Sequence, residues 1–194
     1  MGYYDYEPQV LLTRPLCLVG FMGSEVHSIG YFLSSMSGVP FVDVDKLVEH
    51  EAGMSLSKLL KLKGESHWRG LEYTVLRRSL EACPPRLICL GDGTLLKAES
   101  LHLCLQQSEL IYLRRPRMSL HSRIRQGVDE SPQRFPLLIN QHFSSEQLLE
   151  ELTRREVSYE RAHRLFDAGD LSALEAARAL ARRLEWSLEG EFSP

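Results

Sequence analysis

The chain has 194 residues, with 43% hydrophobic and 25% charged residues and a formal net charge of -3. These values are typical of one globular domain, and the weak acidity argues against a nucleic-acid-binding surface. There is neither an apolar run of 18 residues nor a signal-peptide pattern at the N-terminus, so we expect no membrane contact and a cytoplasmic location. The four cysteines form no CxxC pair, which predicts free thiols in a reducing compartment.

Five short apolar runs predict the strands of a parallel sheet: residues 15–20, 39–43, 86–91, 109–113 and 163–167. Helical spacing lies between them, as at residues 65–82, and a last helix begins with a capping box of Ser172 and Glu175. The alternation predicts a single α/β domain, a parallel sheet flanked by helices. We place this domain at residues 15–187, between an N-terminal tail (1–14) and a C-terminal tail (188–194).

A long loop is predicted at residues 127–143, which are polar and contain Gly127, Pro132 and Pro136. Loops of this length are uncommon in compact domains and are usually functional, often as a lid over a bound ligand. The sequence therefore predicts a lid at this position.

Glycines or carboxylates follow each of the first three predicted strands. Residues 20–28 follow the first, Asp43 and Asp45 the second, and Gly91 and Gly93 the third. Because the carboxyl ends of parallel strands meet at one edge of a sheet, where α/β proteins bind ligands, this edge is the predicted site.

The segment after the first strand has the position of a phosphate-binding P-loop, whose pattern is G-x-x-x-x-G-K-[ST]. Gly20 stands at the first glycine, but Glu25, Val26 and His27 replace the second glycine, the lysine and the hydroxyl residue. Glu25 brings a negative charge toward a polyanion, Val26 cannot contact phosphate, and imidazole is a poor ligand for Mg²⁺. Losing one preorganised donor costs roughly 10²–10³-fold in rate, so three replacements predict very low activity. A helix N-terminus still offers weak anion binding.

Over residues 15–186 the chain resembles the shikimate kinases. The resemblance is carried by PLCLVGFMGS, by PFVDVDKLVEHEAGMSLSKLLKLKGESHWRGLEYTVL, by LICLGDGTLL, by SRIRQG and RFPLL, and by RREVSYERAHRLFDA. It implies a P-loop kinase-type fold with a lid, and transfer of the ATP γ-phosphoryl group to the 3-hydroxyl of shikimate with Mg²⁺.

The resemblance also implies a role for individual residues. Asp43 would lie near the metal ion, and Asp45 would orient the substrate hydroxyl as the catalytic residue. Substrate binding would fall to Asp45, Arg69, Gly91, Gly93 and Arg155. Nucleotide binding would fall to Gly20, Gly23, Ser24, Ser28, Arg125 and Arg134.

Simpler interpretations of the same residues stay open. Asp43 and Asp45 are also suited to cap the next helix. Arg69 is also compatible with a surface position, Arg155 with a solvated helix face, and His27 with a tolerated replacement.

Three further departures from the family pattern lie outside the loop. Asp92 replaces the middle glycine of a Gly-Gly-Gly motif, Phe135 interrupts an Arg-Pro pair in the lid, and Val157 stands where the family usually has proline. A carboxylate at position 92 would oppose an anionic substrate.

Two main hypotheses follow, both with a monomer and a small anionic, shikimate-like metabolite as ligand. In the first, the chain is catalytically impaired or inactive, needs no cofactor, and has a binding or regulatory role. In the second, it is an active shikimate kinase that uses ATP and Mg²⁺. A third possibility is a kinase for, or a sensor of, a different small acid, with a pocket reshaped by Asp92 and Phe135.

Overall fold

The computed structural model describes residues 10–130 and 144–186. The strands are β1 (Leu16–Val19), β2 (Phe41–Asp43), β3 (Leu87–Cys89), β4 (Glu109–Arg114) and β5 (Arg164–Asp167). The helices are α1 (Val26–Ser37), α2 (Val44–Ala52), α3 (Leu56–Leu80), α4 (Ala98–Gln107), α5 (Arg117–Glu130), α6 (Ser145–Tyr159) and α7 (Ala173–Arg183), with a short 3-10 turn at Thr94–Leu96.

The five strands form one parallel sheet in the order β2-β3-β1-β4-β5. β1 is central, and its Cys17 is in register with Ile88 of β3 and Leu110 of β4. All four residues of β1 are buried, as its continuous apolar run predicted. The predicted parallel α/β sheet flanked by helices is therefore confirmed, and the carboxyl ends of β1, β2 and β3 lie side by side.

The core lies on both faces of this sheet. One cluster packs α2, α3, α4 and α6 against one face and includes Trp68, Leu76 and Tyr159. The other packs α1 and α7 against the opposite face and includes Ile29 and Leu180. These two layers fix the carboxyl ends of the central strands relative to the start of α1.

Helix α3 begins nine residues before the predicted helix, at Leu56. Gly64 is not helical within it (φ 80°, ψ 166°), so the element consists of two helical segments that meet at a kink. The predicted stretch 65–82 corresponds to the second segment, which ends at Leu80. A side chain disfavours positive φ, so glycine suits the kink.

The predicted loop at residues 127–143 is wrong for its first four residues. Helix α5 continues to Glu130 and includes Gly127. Glycine lowers helix propensity but does not forbid a helix, and Gly127 does not end this one. Residues 131–143, with Arg134 and Phe135, lie outside the described residues, so the lid stays a prediction.

The described part of the predicted N-terminal tail packs against the domain. The amide of Val10 donates to the carbonyl of Ser37 at 3.2 Å, and Leu12 packs on the α1–α7 layer. Arg14 donates to the carbonyls of Gln106 and Ser108. At the other end, Ser172 and Glu175 form the predicted capping box of α7. Within the described ranges, no helix has the length and apolar character that crossing a bilayer requires.

Candidate functional site

A cleft of about 470 Å³ opens at the carboxyl ends of β1, β2 and β3, where the sequence placed the ligand site. It is lined by residues 20–27, by the carboxylates of Asp43, Asp45 and Asp92, and by Arg123 of α5. We call it the strand-end cleft. A separate cavity of about 560 Å³ lies beside β5 and contains none of the predicted site residues.

The loop between β1 and α1 makes a tight turn in which two positions require glycine. A side chain at Gly20 would lie 2.8 Å from the carbonyl oxygen of Leu113, too close for any other residue. Gly23 has a φ of 80°. Glu25 also has a left-handed conformation, with φ 60° and ψ 32°, although it carries a side chain. That conformation costs a non-glycine residue about 1–2 kcal/mol. Position 25 therefore retains the backbone of a glycine position with a glutamate in it.

The carboxylate of Glu25 is held by two arginines. Oε2 accepts a hydrogen bond from Nη2 of Arg115 at 3.0 Å and another from Nη1 of Arg123. The Arg115 side chain is fully buried, and those of Arg123 and Glu25 are 26% and 34% exposed. Charge-assisted contacts of this kind are among the stronger hydrogen bonds in proteins. A side chain of the loop thus supplies the anion that these two guanidinium groups bind.

Arg115 also connects the loop to the segment between β5 and α7. It donates to the carbonyls of Ser24 (3.1 Å), Gly169 (3.0 Å) and Leu171 (2.7 Å). Burial, together with the positive charge of Arg123, lowers the pKa of Arg115, and Glu25 opposes this effect. Glu25 therefore stabilises the charged form of the Arg115 guanidinium, which also holds the loop in place through its hydrogen bonds to backbone carbonyls.

On the other side of the loop, His27 lies between two carboxylates. Its Nδ1 is 3.0 Å from Oδ2 of Asp43, and its Nε2 is 3.5 Å from Oδ2 of Asp45. Burial alone would lower the pKa of His27, but the two carboxylates outweigh it and raise the pKa to about 10. Burial would raise the pKa of Asp43, but His27 outweighs it and lowers that pKa.

Asp43 has two tasks. Its Oδ1 accepts a hydrogen bond from the amide of Lys46 at 3.1 Å and caps α2, while its Oδ2 faces His27. The capping interpretation therefore holds for Asp43, while its position near a metal ion stays a prediction. Asp45 lines the cleft from the first turn of the same helix.

Asp92 turns its carboxylate toward Arg155. The side chain of Arg155 is 2% exposed; it contacts Oδ2 of Asp92 through Nη1 and Oε2 of Glu151 through Nε at 3.2 Å. Burial would lower the pKa of Arg155, but Asp92, Tyr159 and Glu151 raise it. The hydroxyl of Tyr159 donates to the carbonyl of Asp92. Arg155 is thus buried and paired, and the solvated-face interpretation is wrong.

Arg69 is also paired, and like Arg155 it does not itself line the cleft. Its guanidinium contacts Glu72 at 3.0 Å and Glu65 at 3.2 Å, and it stacks 4.3 Å from the centre of the Trp68 ring. Its side chain is 12% exposed, so the surface interpretation is wrong as well. It also lies directly over Gly93, where any Cβ would overlap it.

Gly91, like Gly93, leaves room for neighbouring side chains, in this case two carboxylates. A Cβ there would lie 2.6 Å from Oδ1 of Asp45 and 3.0 Å from Oε1 of Glu72. The two glycines of the motif therefore let the side chains of Asp45, Glu72 and Arg69 approach the backbone. Glu72 is 1% exposed, accepts from the hydroxyl of Thr94 at 2.7 Å, and has its pKa raised by burial to about 7.

Two of the residues predicted to bind nucleotide are not in the cleft wall. Ser28 lies in the first turn of α1 and does not line the cleft, and Arg125 is exposed on α5. Arg123, two residues before Arg125 and therefore on a different face of the helix, is the arginine that reaches the loop. Gly20, Gly23 and Ser24 do line the cleft, and their role in nucleotide binding stays a prediction.

The sequence alone had not indicated four site residues: Arg115, Arg123, Glu72 and Tyr159. One signal was available for the two arginines. A glutamate that replaces a glycine in an anion-binding loop calls for a cation nearby, and a cluster of arginines begins at Arg114. Which of them meets Glu25 depends on how β4 and α5 pack beside β1. Glu72 and Tyr159 had no comparable signal in the sequence.

Among known protein families, the family model described as "Shikimate kinase" matches residues 22–185 of this chain. The chain belongs to the shikimate kinase family. The match spans the glycine motif, the substrate-side helices and the last strand, so the resemblance that the sequence motifs carried is confirmed.

Curated shikimate kinases from bacteria are similar to the chain at moderate identity. The enzyme of Dictyoglomus turgidum is 33% identical over 103 residues, which are 53% of this chain and 60% of that protein. The enzyme of Thermodesulfovibrio yellowstonii is 27% identical over 172 residues, 89% of this chain and 95% of that protein.

Solved structures of shikimate kinases share the fold. The structure from Acinetobacter baumannii, in complex with shikimate, superposes with a TM-score of 0.79 at 22% identity and covers 91% of this chain and 94% of its own. The structure from Aquifex aeolicus superposes with a TM-score of 0.73 at 23% identity, with 88% and 96% covered. At this identity the likeness shows the fold, a parallel sheet of the P-loop kinase type in a single domain.

Proposed function

We propose that this member of the shikimate kinase family does not transfer phosphate from ATP efficiently, because its own carboxylates occupy its anion sites. The observation that carries this proposal is the position of Glu25. Its side chain leaves the phosphate-binding loop and accepts hydrogen bonds from Arg115 and Arg123. The role that remains for the chain is that of a binding or regulatory module for a small anionic metabolite.

The charge of Glu25 opposes a nucleotide directly. Two like charges 4 Å apart repel by about 4 kcal/mol at an effective dielectric constant of 20, near a protein surface. A phosphate group entering the loop would meet this repulsion and would also have to compete for guanidinium groups that are already paired. The loop thus disfavours the ligand that its backbone shape suits.

The two residues after Glu25 do not fit MgATP either. Val26 is 4% exposed and packs into the core with Ile29 and Leu33, so it offers no donor to a phosphate. His27 supplies imidazole nitrogen where the family pattern has a hydroxyl, and Mg²⁺ prefers oxygen ligands. The residues present therefore do not fit the magnesium–nucleotide complex of the family.

Asp92 extends the same principle to the substrate side. By resemblance, Arg155 would bind the carboxylate of shikimate, yet it binds the carboxylate of Asp92. A small carboxylate would have to displace Asp92 before it gained Arg155. Such a displacement would couple ligand binding to the position of the glycine motif, as a metabolite sensor requires.

Active catalysis is a second candidate, because the chain keeps the acidic group expected at the reacting centre. Asp45 lines the strand-end cleft, and its Oδ1 has no hydrogen-bond partner. Catalysis at about 1 s⁻¹ or faster, the low end of ordinary enzyme rates, would then need arginines in place of the missing lysine.

A coupled assay with MgATP and shikimate separates the two candidates. We expect no turnover above background from the natural chain, and turnover from a variant with Glu25→Gly, Val26→Lys, His27→Ser and Asp92→Gly. The matched control adds Asp45→Asn to that variant and should abolish the restored activity. Turnover at about 1 s⁻¹ by the natural chain would overturn the proposal.

The natural chain and the restored variant also need a binding measurement. We expect shikimate to raise the melting temperature of the restored variant more than that of the natural chain, since Asp92 no longer occupies Arg155. A restored variant that neither binds shikimate nor turns over would count against occupied anion sites as the cause of inactivity.

A further inference from the structure

One cluster in the strand-end cleft has the donor set of a transition-metal site. One ligand atom each from His27, Asp43 and Asp45 can be chosen so that all three lie within 4.8 Å of one another. The three side chains come from two elements, the start of α1 and the β2–α2 junction, so the arrangement is made by the fold. Imidazole with carboxylates suits zinc, iron or manganese, whereas magnesium prefers oxygen alone.

Unpartnered buried atoms provide a second, independent observation. In residues 10–130 and 144–186, four fully buried side-chain nitrogen or oxygen atoms lack a hydrogen-bond partner. Two of them, Nδ1 of His27 and Oδ1 of Asp45, belong to this cluster. Nδ1 lies within ion-pair distance of Oδ2 of Asp43, at 3.0 Å, so Oδ1 of Asp45 is the more clearly unpartnered of the two atoms. Buried polar atoms normally have partners, and an ion between them would supply one.

We infer that His27, Asp43 and Asp45 bind a divalent transition-metal ion, with zinc as the best-suited candidate. Zinc accepts nitrogen and carboxylate ligands at about 2.0–2.2 Å and often has three protein ligands and one open position. All three residues line the strand-end cleft, so an ion that they bound would be accessible from the cleft. Histidine at position 27 thereby changes the cation preference of this place from magnesium to zinc.

The metal site and the proposed loss of phosphoryl transfer are independent. Zinc bound at His27 leaves Glu25 paired with Arg115 and Arg123, on the other side of the loop. A failed zinc experiment would leave the proposed function untouched, and turnover by the natural chain would leave the zinc site untouched.

The first test is the melting temperature of the metal-free chain at pH 8, where protons compete less strongly for imidazole. The experiment uses a Cys83→Ser background, since Cys83 is an exposed thiol and cysteine sulfur is a common zinc ligand. We expect zinc at about 100 times its dissociation constant to raise the melting temperature by about 5 °C or more, and millimolar Mg²⁺ to have little effect.

Substitutions of single residues test which side chains bind the zinc ion. His27→Ser and Asp45→Asn should each abolish the zinc shift, whereas His102→Ser, which changes an exposed histidine of α4, should retain it. Co²⁺ bound to the unaltered ligands should also give the visible absorption of a cobalt centre with nitrogen and oxygen ligands, which His27→Ser removes. The cobalt spectrum of the chain with unaltered ligands reports metal binding directly, without a comparison of melting temperatures between variants.

Two results would overturn the inference. One is the absence of a zinc shift and of a cobalt spectrum in the Cys83→Ser chain, which would leave His27 as a protonated partner of the two carboxylates. The other is a zinc shift that persists in His27→Ser, which would place the ion elsewhere.

Discussion

Glu25 and Arg115 lie 90 residues apart in the chain and form a hydrogen-bonded ion pair at the loop between β1 and α1, with Nη2 of Arg115 3.0 Å from Oε2 of Glu25. The pair joins the glycine-type turn after β1 to the segment after β4. The two guanidinium groups of Arg115 and Arg123 thereby have a carboxylate of the chain itself as their anionic partner. The contacts of Glu25, more than the missing lysine alone, set this chain apart from the loop pattern it resembles.

Removal of the charge at Glu25 should open the loop to anions. We expect Glu25→Gln to bind tripolyphosphate at least about tenfold more tightly than the natural chain, because a repulsion of about 1.4 kcal/mol or more is removed. Isothermal titration calorimetry at low ionic strength measures this change. Glu51→Gln, which removes a glutamate paired with the surface residue Arg78, is the matched control and should have no effect.

The gain at Glu25 should depend on the arginine it releases. Adding Arg123→Gln to Glu25→Gln should return the affinity for tripolyphosphate to that of the natural chain. If the double variant bound as tightly as Glu25→Gln alone, the anion would be binding elsewhere.

The Asp92–Arg155 pair should contribute to stability until a ligand replaces it. Asp92→Gly leaves a buried guanidinium with Glu151 as its remaining acidic partner, so we expect a loss of about 3 kcal/mol in the free energy of unfolding. Urea denaturation measures the loss. Shikimate should recover part of it in Asp92→Gly and little in the natural chain, and equal recovery in both would contradict this assignment.

Buried Glu72 should make stability depend on pH. Its pKa is raised to about 7, so the native state keeps its proton at pH values where the unfolded chain has lost it. This contribution to stability is complete below about pH 4.5 and is lost as pH rises through 7. Glu72→Gln should therefore become more stable relative to the natural chain between pH 5 and 8, by an amount on the order of 3 kcal/mol.

Urea denaturation at pH 5, 6, 7 and 8 checks this trend. Glu51→Gln is again the control, because an exposed ion pair with Arg78 lowers the pKa of Glu51 and its titration lies below this range. A difference between Glu72→Gln and the natural chain that stays constant from pH 5 to 8 would show that Glu72 ionises normally.

Two helical glycines should respond oppositely to alanine. At Gly30 a Cβ would overlap Sγ of Cys89 and lie 3.1 Å from the Phe41 ring, so Gly30→Ala should lower the free energy of unfolding by about 1–3 kcal/mol. At Gly70 nothing lies within 4 Å, and Gly70→Ala should raise it by about 0.5–1 kcal/mol through helix propensity. Thermal unfolding measures both changes. The result for Gly30→Ala tests the packing of α1 on the sheet, and Gly70→Ala in α3 is the comparison.

The apolar runs and the motifs in the sequence predicted the sheet, the family and the edge of the sheet where the candidate site lies. Continuous apolar runs such as Leu16–Val19 have few alternatives to a buried parallel strand, and the motifs that follow the strands come in a fixed order. The loss of glycine, lysine and hydroxyl at positions 25–27 was also visible there, because these positions are local to one motif. Helix limits were less certain, as at Gly127, because propensity is a weak signal.

The contacts of the replaced residues could be found only in the folded chain. Glu25 meets Arg115 and Arg123, and Asp92 meets Arg155, across 63 to 98 positions of the chain. Such partners are chosen by the packing of β4, α5 and α6 around β1, and no local pattern encodes which arginine of a cluster points inward. The same holds for His27, whose place between Asp43 and Asp45 exists only because α1 begins beside the carboxyl end of β2.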